Sequence, residues 1–363
     1  MAVFNPQRLG LARRRRGMTK IQLAGEVGVS SRMIIAYERG EKEPSAGTLA
    51  KVAAALSFPV SFFAGPDLDE PPLQASSFRA LSSLTARQRD QGMSSAAIAL
   101  SLSSWIDTRF SLPEPNTPQH RGIDPETAAM AIRNEWGLGQ RPIPNMIHLL
   151  EAHGVRVFSL VEECRDLDAF SFWLRQVPFV FLNTVKSAER SRMDAAHELG
   201  HLVLHWRDGS HGREAEREAD LFGSAFLMPS ESILAQAPRG GRLEDILQAK
   251  RRWNVSAANL THRMFKLGLL SSWQYRSLFI ELSREGYRRT EHHGSRPESS
   301  QILAKVFDAL RNEGMTRAQV AEELNIAVDE LDKVVFGLVL VPLEGSLNSA
   351  ESSPRSKPDL QLV

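Results

Sequence analysis

The stretch AAHELGHLVLH (Ala195–His205) decides how the central part of this chain folds. It places His197 and His201 four residues apart, so that on a helix both side chains lie on one face, separated by about 6 Å of rise. Two imidazoles in that arrangement can converge on one tetrahedral zinc ion, while Glu198 lies on the adjacent side. There its carboxylate can take a proton from an attacking water and pass it to a leaving amine. The stretch therefore predicts a zinc site with peptidase chemistry.

The surroundings of this five-residue motif distinguish a zinc site from a chance match. The flanking residues are mostly apolar, which indicates a buried helix, where two histidines and a glutamate would be costly without a metal. A downstream helix, predicted from about Arg213 to Leu227, offers Glu216 as a third ligand and Asp220 to orient a histidine ligand. Glu218 competes with Glu216 for the third position, and Glu214 is a weaker candidate.

Other features near the motif leave two interpretations open. His205, one turn after His201, suits a helix-end residue that caps carbonyl groups, or a residue that supports the metal site or the substrate. The strand Phe179–Asn183 suits either a sheet edge to which a substrate backbone could add or a buried core strand. Three further histidines are expected at the surface, namely His211, His292 and His293.

Two short helices joined by a glycine-containing turn are predicted near the N-terminus. In TKIQLAGEVGVS (19–30) and SRMIIAYERG (31–40), Thr19 and Ser30 stand where helix N-caps belong, and Gly28 separates the helices. Residues 1–66 carry ten lysines and arginines against four acids, a net charge of +6 in a chain whose total is +1. A basic helix-turn-helix predicts double-stranded DNA as a partner.

The second of these helices would enter the major groove with its N-terminal side chains near base edges. Base contacts are expected from Ser31, Arg32 and Ile35, and phosphate contacts from Lys20, Arg39 and Lys42. The run Arg13–Arg16 is either a solvated helix face or a further patch that contacts the DNA backbone. Because such DNA readers usually bind paired half-sites, we expect a homodimer.

Composition limits the class of protein. The chain has 363 residues, of which 42% are hydrophobic and 24% charged, as in globular proteins of more than one domain. The single cysteine, Cys164, excludes an internal disulfide and a multi-cysteine zinc site. No apolar run approaches the length of a membrane span, and the N-terminus lacks a signal-peptide core. We therefore expect a cytoplasmic protein without membrane contact.

Periodicity and Pro/Ser-rich stretches predict a multidomain, mainly α-helical chain. Residues 1–66 would form a five-helix DNA-binding bundle, and residues 67–124 a linker and helical connector that is helical over 76–111. Residues 125–285 would form an α+β domain, and residues 300–340 a small helical unit, followed by a disordered tail over 344–363. Three strands are expected in the α+β domain, at Val155–Leu160, Ala169–Leu174 and Pro178–Asn183.

The small C-terminal unit weakly resembles residues 1–66, which are called the head below. Its Gly314-Met315-Thr316 and Val320-Ala321 have the same spacing as Gly17-Met18-Thr19 and Leu23-Ala24, which favours a second helix-turn-helix-like bundle. It has no comparable basic run, so we expect packing or partner contact there rather than DNA binding.

The metal motif resembles the ImmA/IrrE family of metallopeptidases. The resemblance rests on Arg192-x-x-x-Ala196-HELGHLVLH and on E-x-E-A-D-x-F-x-x-x-F-L-M-P from Glu216 to Pro229, and it covers about residues 125–285. It implies a zincin-like fold, with a three-stranded sheet beside the active-site helix, and it favours the Glu216 and Asp220 assignments. Gly223 and Ser224 stand where the family commonly has alanines, which changes packing rather than chemistry.

The head resembles the XRE (Cro/C1-type) helix-turn-helix family over residues 5–64, including the Tyr37-Glu38-x-Gly40 ending and Pro44. ImmA/IrrE proteins are known for cleaving repressors within their DNA-binding region or its hinge. The two resemblances imply a DNA-binding transcriptional regulator with a zinc-dependent endopeptidase domain, which would cleave a repressor or itself in a stress or mobile-element response.

Two other functions remain open. One is a DNA-binding regulator whose zinc domain is mainly a sensor or structural platform without proteolysis. The intact motif favours the peptidase, because a purely structural zinc site would not need Glu198. The other makes the head a protein-interaction module, since helix-turn-helix domains also pair with their own kind.

Overall fold

The computed structural model describes residues 3–72, 85–160, 167–206, 212–238, 241–287, 291–292 and 294–339. These residues form a mainly helical protein with one three-stranded sheet, which confirms the predicted fold class. Residues 76–84 of the predicted connector helix and the predicted disordered tail, 344–363, lie outside the described residues. Among the described residues, no helix is both long and apolar enough to cross a membrane.

The head consists of five short helical segments. They are α1 (Pro6–Arg15), α2 (Lys20–Val27), α3 (Ser31–Glu38), α4 (Ala46–Leu56) and a 3₁₀ segment (Val60–Ala64). The Thr19 and Ser30 side chains accept hydrogen bonds from the backbone N–H groups of Gln22 and Met33, so both predicted N-caps are confirmed. Gly28 ends α2 with a φ of 77°, in the left-handed region that glycine adopts without strain.

A long helix, α5 (Ala86–Asp107), occupies the predicted connector. Its central residues from Ala96 to Leu100 are buried, and it packs against α1 of the head. Alanine and serine are frequent in α5, and their small side chains let neighbouring helices approach on several sides. The helix is therefore a shared core element rather than an exposed linker.

The sheet lies in the central region, after α6 (Pro125–Glu135) and α7 (Met146–Ala152). Its strands are β1 (Arg156–Ser159), β2 (Ala169–Leu174) and β3 (Val177–Leu182), in the order β1-β3-β2. β1 is parallel to β3, and β2 is antiparallel to it. The three strands match the predicted ones to within one residue at each end, because their short Val- and Phe-rich runs suit a buried sheet.

The interpretation of Phe179–Asn183 as a sheet edge is wrong. β3 pairs with β1 on one side and with β2 on the other, so its backbone has no free edge for a substrate. Stacked rings explain why β3 is central, since Phe181 lies 4.7 Å from Phe170 on β2 between ring centroids and 5.9 Å from Phe158 on β1. The edge strands of this sheet are β1 and β2.

Two helices cross closely beside the sheet, α8 (Ala188–Leu204) and α9 (Arg213–Leu227). Glycine makes the approach possible at two positions. A Cβ atom at Gly200 would lie 3.2 Å from Cα of Ala219, and one at Gly223 would lie 3.0 Å from the backbone nitrogen of His197. α8 carries the HExxH motif, so this crossing brings α9 against the candidate metal ligands.

Four helices complete the central region, and three form the C-terminal unit. They are α10 (Ser230–Gln236), α11 (Leu243–Trp253), α12 (Ala257–Lys266), α13 (Ser272–Arg284), α14 (Gln301–Asn312), α15 (Arg317–Glu323) and α16 (Val328–Val335). The C-terminal unit is attached to α7, where the buried carboxylate of Glu151 accepts hydrogen bonds from the backbone N–H groups of Gln301 (2.8 Å) and Ile302 (3.2 Å) at the start of α14.

The C-terminal unit also binds the head, through Glu330 on α16. This fully buried carboxylate contacts Arg15 at 2.7 Å and Arg16 at 2.6 Å, both at the end of α1. Arg13 pairs with Glu38, and Arg14 with Glu70. All four arginines therefore pair with acids of the same chain. Arg15 is fully buried and lies on no solvated face, whereas Arg14 and its partner Glu70 are partly exposed.

Candidate metal centre

The crossing of α8 and α9 brings three candidate ligands together. One ligand atom from each of His197, His201 and Glu216 lies within 4.8 Å of the other two. The Nε2 atoms of His197 and His201 are 3.1 Å apart, and the Glu216 carboxylate oxygens are 3.6 Å and 3.8 Å from them. The His201 side chain is fully buried, whereas His197 and Glu216 are 18% and 27% exposed, so the cluster is partly accessible to solvent.

This donor set fits a zinc ion. In a tetrahedral site with bonds of about 2.05 Å, ligand atoms are about 3.3 Å apart, and the three separations lie on either side of that value. Two imidazole nitrogens and one carboxylate oxygen are ligands that zinc prefers. Among the described residues three side chains, not four, form the cluster, which is the ligand count of catalytic rather than structural zinc sites.

Asp220 supports the first histidine ligand. Its Oδ1 lies 2.8 Å from Nδ1 of His197, on the opposite side of the ring from the cluster. Burial alone would lower the pKa of His197, but hydrogen bonds to Asp220 and Glu216 and the charge of Glu198 raise it to about 10. The same carboxylates that hold a proton on the imidazole favour a cation at this place.

Glu198 directly follows the first ligand on α8, and it is 2% exposed. Its backbone carbonyl accepts a hydrogen bond from Ser171 Oγ of β2 at 3.3 Å, and the Leu202 carbonyl accepts one from the Trp173 indole at 3.2 Å. Side chains of β2 thus join that strand to the helix that carries the motif. Glu198 is not among the three clustered candidate ligands.

Glu218 and His205 contact each other and are not among the three clustered ligands. The Glu218 carboxylate is 2.8 Å from Nε2 of His205, and His205 Nδ1 is 3.1 Å from Nδ1 of His201. Both ring nitrogens of His205 therefore face side chains, so of its two interpretations the structure favours support of the metal site over carbonyl capping. Glu214 is exposed and pairs with Arg217. Only Glu216, of the three candidate glutamates, reaches the histidine pair.

Sequence reasoning missed the connection between His205 and Glu218. The i, i+4 spacing of His201 and His205 was a usable signal for the first contact. The contact with Glu218 depends on how α8 crosses α9, and local periodicity does not specify that. Of the other histidines, His292 is exposed and its Nε2 lies 3.2 Å from the Glu285 carbonyl, as expected for a surface residue. His211 and His293 lie outside the described residues.

The residues expected to contact DNA lie on and around α3. Arg32 is exposed at the start of this helix, and Ser31 and Ile35 are partly exposed beside it. Lys20, at the start of α2, lies 3.3 Å from Glu38, while Arg39 and Lys42 follow α3 and are exposed. The start of α3 is exposed, whereas Glu38 at its end pairs with Arg13 and Lys20.

Comparison with protein-family models matches two separate segments of the chain. Residues 9–63 match a model described as helix-turn-helix, and residues 150–265 match the peptidase M78 model, described as an IrrE N-terminal-like domain. A search of curated proteins found no match. The fold and these matches support a regulator with a helix-turn-helix DNA-binding domain and a peptidase-family domain. Its arrangement is an N-terminal XRE-type helix-turn-helix followed by an ImmA/IrrE-like domain.

Proposed function

We propose that this protein is a transcriptional regulator whose central domain is a zinc-dependent endopeptidase that cleaves a repressor or the chain itself. The observation that supports this most is the meeting of His197, His201 and Glu216 around one point, with the buried Glu198 beside them and outside the ligand set. A helix-turn-helix on the same chain, with the exposed start of α3 as its DNA-reading surface, argues for a substrate that acts in gene control. Paired half-sites on DNA would require a homodimer.

In this proposal each residue has a separate task. His197, His201 and Glu216 hold the metal, which when bound supplies a Lewis acid that polarises the peptide carbonyl and makes the attacking water more acidic. Glu198 takes the proton of that water and delivers it to the leaving nitrogen, so that the amine departs neutral. Asp220 accepts a hydrogen bond from Nδ1–H of His197, which keeps the proton off Nε2 and leaves that nitrogen free to bind a metal.

The substrate would lie along β2. This strand is the outer strand nearest to α8, and Ser171 and Trp173 hold it against the helix that carries the motif. Among the described residues no further strand pairs with its outer edge. An extended segment of a protein substrate can add there by backbone hydrogen bonds, which places its peptide bonds beside the metal centre.

The alternative is a zinc domain that senses or stabilises without cleaving. A structural zinc site is normally closed by four protein ligands, whereas three ligands converge in the described part of this chain. A buried carboxylate next to the ligands, such as Glu198, would also lower stability without a function in a purely structural site. Both observations favour the peptidase.

The experiment compares wild type with Glu198→Gln in a host that expresses the genes neighbouring this one, under inducing stress. Both proteins should carry equal zinc, because Glu198 is outside the ligand set. A proteolytic fragment should appear with wild type alone. The same fragments from both proteins, or none from either, would rule out the peptidase and leave the sensor alternative.

A further inference from the structure

Three hydrogen-bonded side chains, called the hydrogen-bond series below, extend from the metal centre to the outer face of α9. His201 Nδ1 lies 3.1 Å from His205 Nδ1, and His205 Nε2 lies 2.8 Å from a carboxylate oxygen of Glu218. The side chains of His201, His205 and Glu218 are 0%, 2% and 35% exposed. The hydrogen-bond series thus begins in the buried interior and ends at a carboxylate with access to solvent.

In the hydrogen-bond series, one direction of donation is consistent with His201 as a metal ligand. If Nε2 of a neutral His201 binds a metal, its proton is on Nδ1 and must be donated. Nδ1 of His205 lies within hydrogen-bond distance and can accept. His205 then carries its own proton on Nε2, and this N–H donates a hydrogen bond to Glu218. Each group therefore makes the contact that its protonation state demands, and the negative charge of Glu218 stands at the accepting end.

We propose that His205 and Glu218 are positioning residues for the metal ligand His201. They fix its tautomer and ring orientation in the way that Asp220 does for His197. Both histidine ligands are then connected to a carboxylate of α9. His197 contacts Asp220 directly, and His201 is connected to Glu218 through the imidazole of His205. The inference rests on the metal centre of the proposed function, and it extends that centre by one turn of α8.

Geometry places His205 between His201 and Glu218. His201 is one turn further along α8 than His197 and fully buried, and its Nδ1 lies 3.1 Å from Nδ1 of His205. His205, one further turn along the same face, spans the gap to Glu218. A buried imidazole without these partners would cost free energy, which accounts for a histidine at this otherwise apolar helix end.

The test measures zinc affinity of the full-length chain by competition with a chromophoric chelator. His205→Leu and His205→Asn both branch at Cγ, but only asparagine keeps an acceptor near Nδ1 of His201. We expect His205→Leu to weaken zinc binding by about 10- to 100-fold and His205→Asn to recover a large part of that loss. Glu218→Gln should weaken zinc binding less. Glu214→Gln should match wild type, because Glu214 is on the same helix but is not part of the hydrogen-bond series.

A second readout separates positioning from a general loss of structure. With Co²⁺ in place of zinc, the visible absorption bands report the ligand field, and they should shift in Glu218→Gln while the melting temperature of the metal-free protein stays at the wild-type value. Glu218 is partly exposed, so this variant is expected to fold even if His205→Leu does not.

The outcomes distinguish this inference from the proposed function. Equal zinc affinity in His205→Leu and His205→Asn, or unshifted Co²⁺ bands in Glu218→Gln, overturns the positioning role while the metal centre stands. A wild-type chain with no affinity for zinc overturns the metal centre, and with it this inference.

Discussion

At the scale of single residues, the three glutamates of α9 differ in role because each lies at a different angle around the helix. Glu216 reaches the histidine pair, Glu218 reaches His205, and Glu214 pairs with Arg217 at the surface. The sequence left Glu216 and Glu218 as alternatives for the third ligand, because a short acidic run does not reveal which side faces α8. The i, i+4 spacing within the motif, by contrast, fixed the face of His197 and His201 without any tertiary information.

The third-ligand assignment gives the first prediction. Glu216→Ala should lose zinc, because two histidines alone do not complete the protein ligand set of a catalytic site. Metal analysis of the purified protein measures this, and Glu214→Ala is the matched control that should keep wild-type stoichiometry. Zinc retained by Glu216→Ala at full stoichiometry would refute the assignment.

The second prediction concerns the DNA-reading helix. Arg32→Ala should weaken binding to a selected genomic fragment by about 1–3 kcal/mol while barely changing affinity for unrelated DNA, because a base contact is lost. Arg39→Ala should weaken binding to both DNAs and reduce the salt dependence, as expected for a phosphate contact. Titrations at several salt concentrations measure this, with Lys51→Ala, exposed on α4, as the control. Equal losses on both DNAs for Arg32→Ala would remove it from the base-reading set.

At the scale of elements, most boundaries were predictable because local chemistry sets them. Thr19 and Ser30 mark the starts of their helices through N-cap hydrogen bonds, and the short Val- and Phe-rich runs mark the strands. The order of the strands was not predictable. β3 is central because its aromatic side chains stack with rings on both neighbours, and alternation along one strand does not show how many partners it has.

The helix crossing gives the third prediction. Gly223→Val should force α8 and α9 apart, because its Cβ would lie 3.0 Å from the His197 backbone nitrogen. We expect a loss of about 1–3 kcal/mol in unfolding free energy and weaker zinc binding, since the ligands come from both helices. Thermal melting and chelator competition measure the two effects. The control is Gly47→Val on α4, where an added Cβ meets nothing within 4 Å. Unchanged zinc affinity in Gly223→Val would show that this crossing does not set the ligand distances.

At the scale of the whole molecule, the head, the central region and the C-terminal unit are joined by specific contacts. α5 packs against α1, Glu151 holds the start of α14, and Glu330 holds the end of α1. The sequence predicted packing rather than DNA binding for the C-terminal unit from its lack of a basic run. It did not predict that arginines of the head would be the partners, since Arg15 and Glu330 are 315 residues apart.

The fourth prediction tests this contact. Glu330→Ala should lower unfolding free energy by about 3 kcal/mol, because Arg15 would keep a buried charge without its carboxylate. Burial tends to raise the pKa of Glu330, but Arg15 and Arg16 hold it below its usual value of 4.5. The folded protein therefore favours the ionised form, and its contribution is present above about pH 4.5 and is lost as the pH falls through the lower folded value.

Denaturant unfolding of wild type and Glu330→Ala at neutral and acid pH measures this contribution. The difference between the two proteins should be largest near neutral pH and should shrink below pH 4.5. Exposed Asp308→Ala on α14 is the control. A difference that stays constant with pH would show that lost packing, and not the ion pair, accounts for the effect.

The central claim is that this regulator cuts a protein with Glu198 as its general base. The most direct measurement labels all new protein N-termini in cells that express zinc-loaded wild type or Glu198→Gln under inducing stress, and identifies them by mass spectrometry. We predict at least one new N-terminus, in a DNA-binding protein or in this chain's own head, that appears with wild type and is absent with Glu198→Gln. Identical sets of N-termini from the two proteins, at equal zinc content, would contradict the claim.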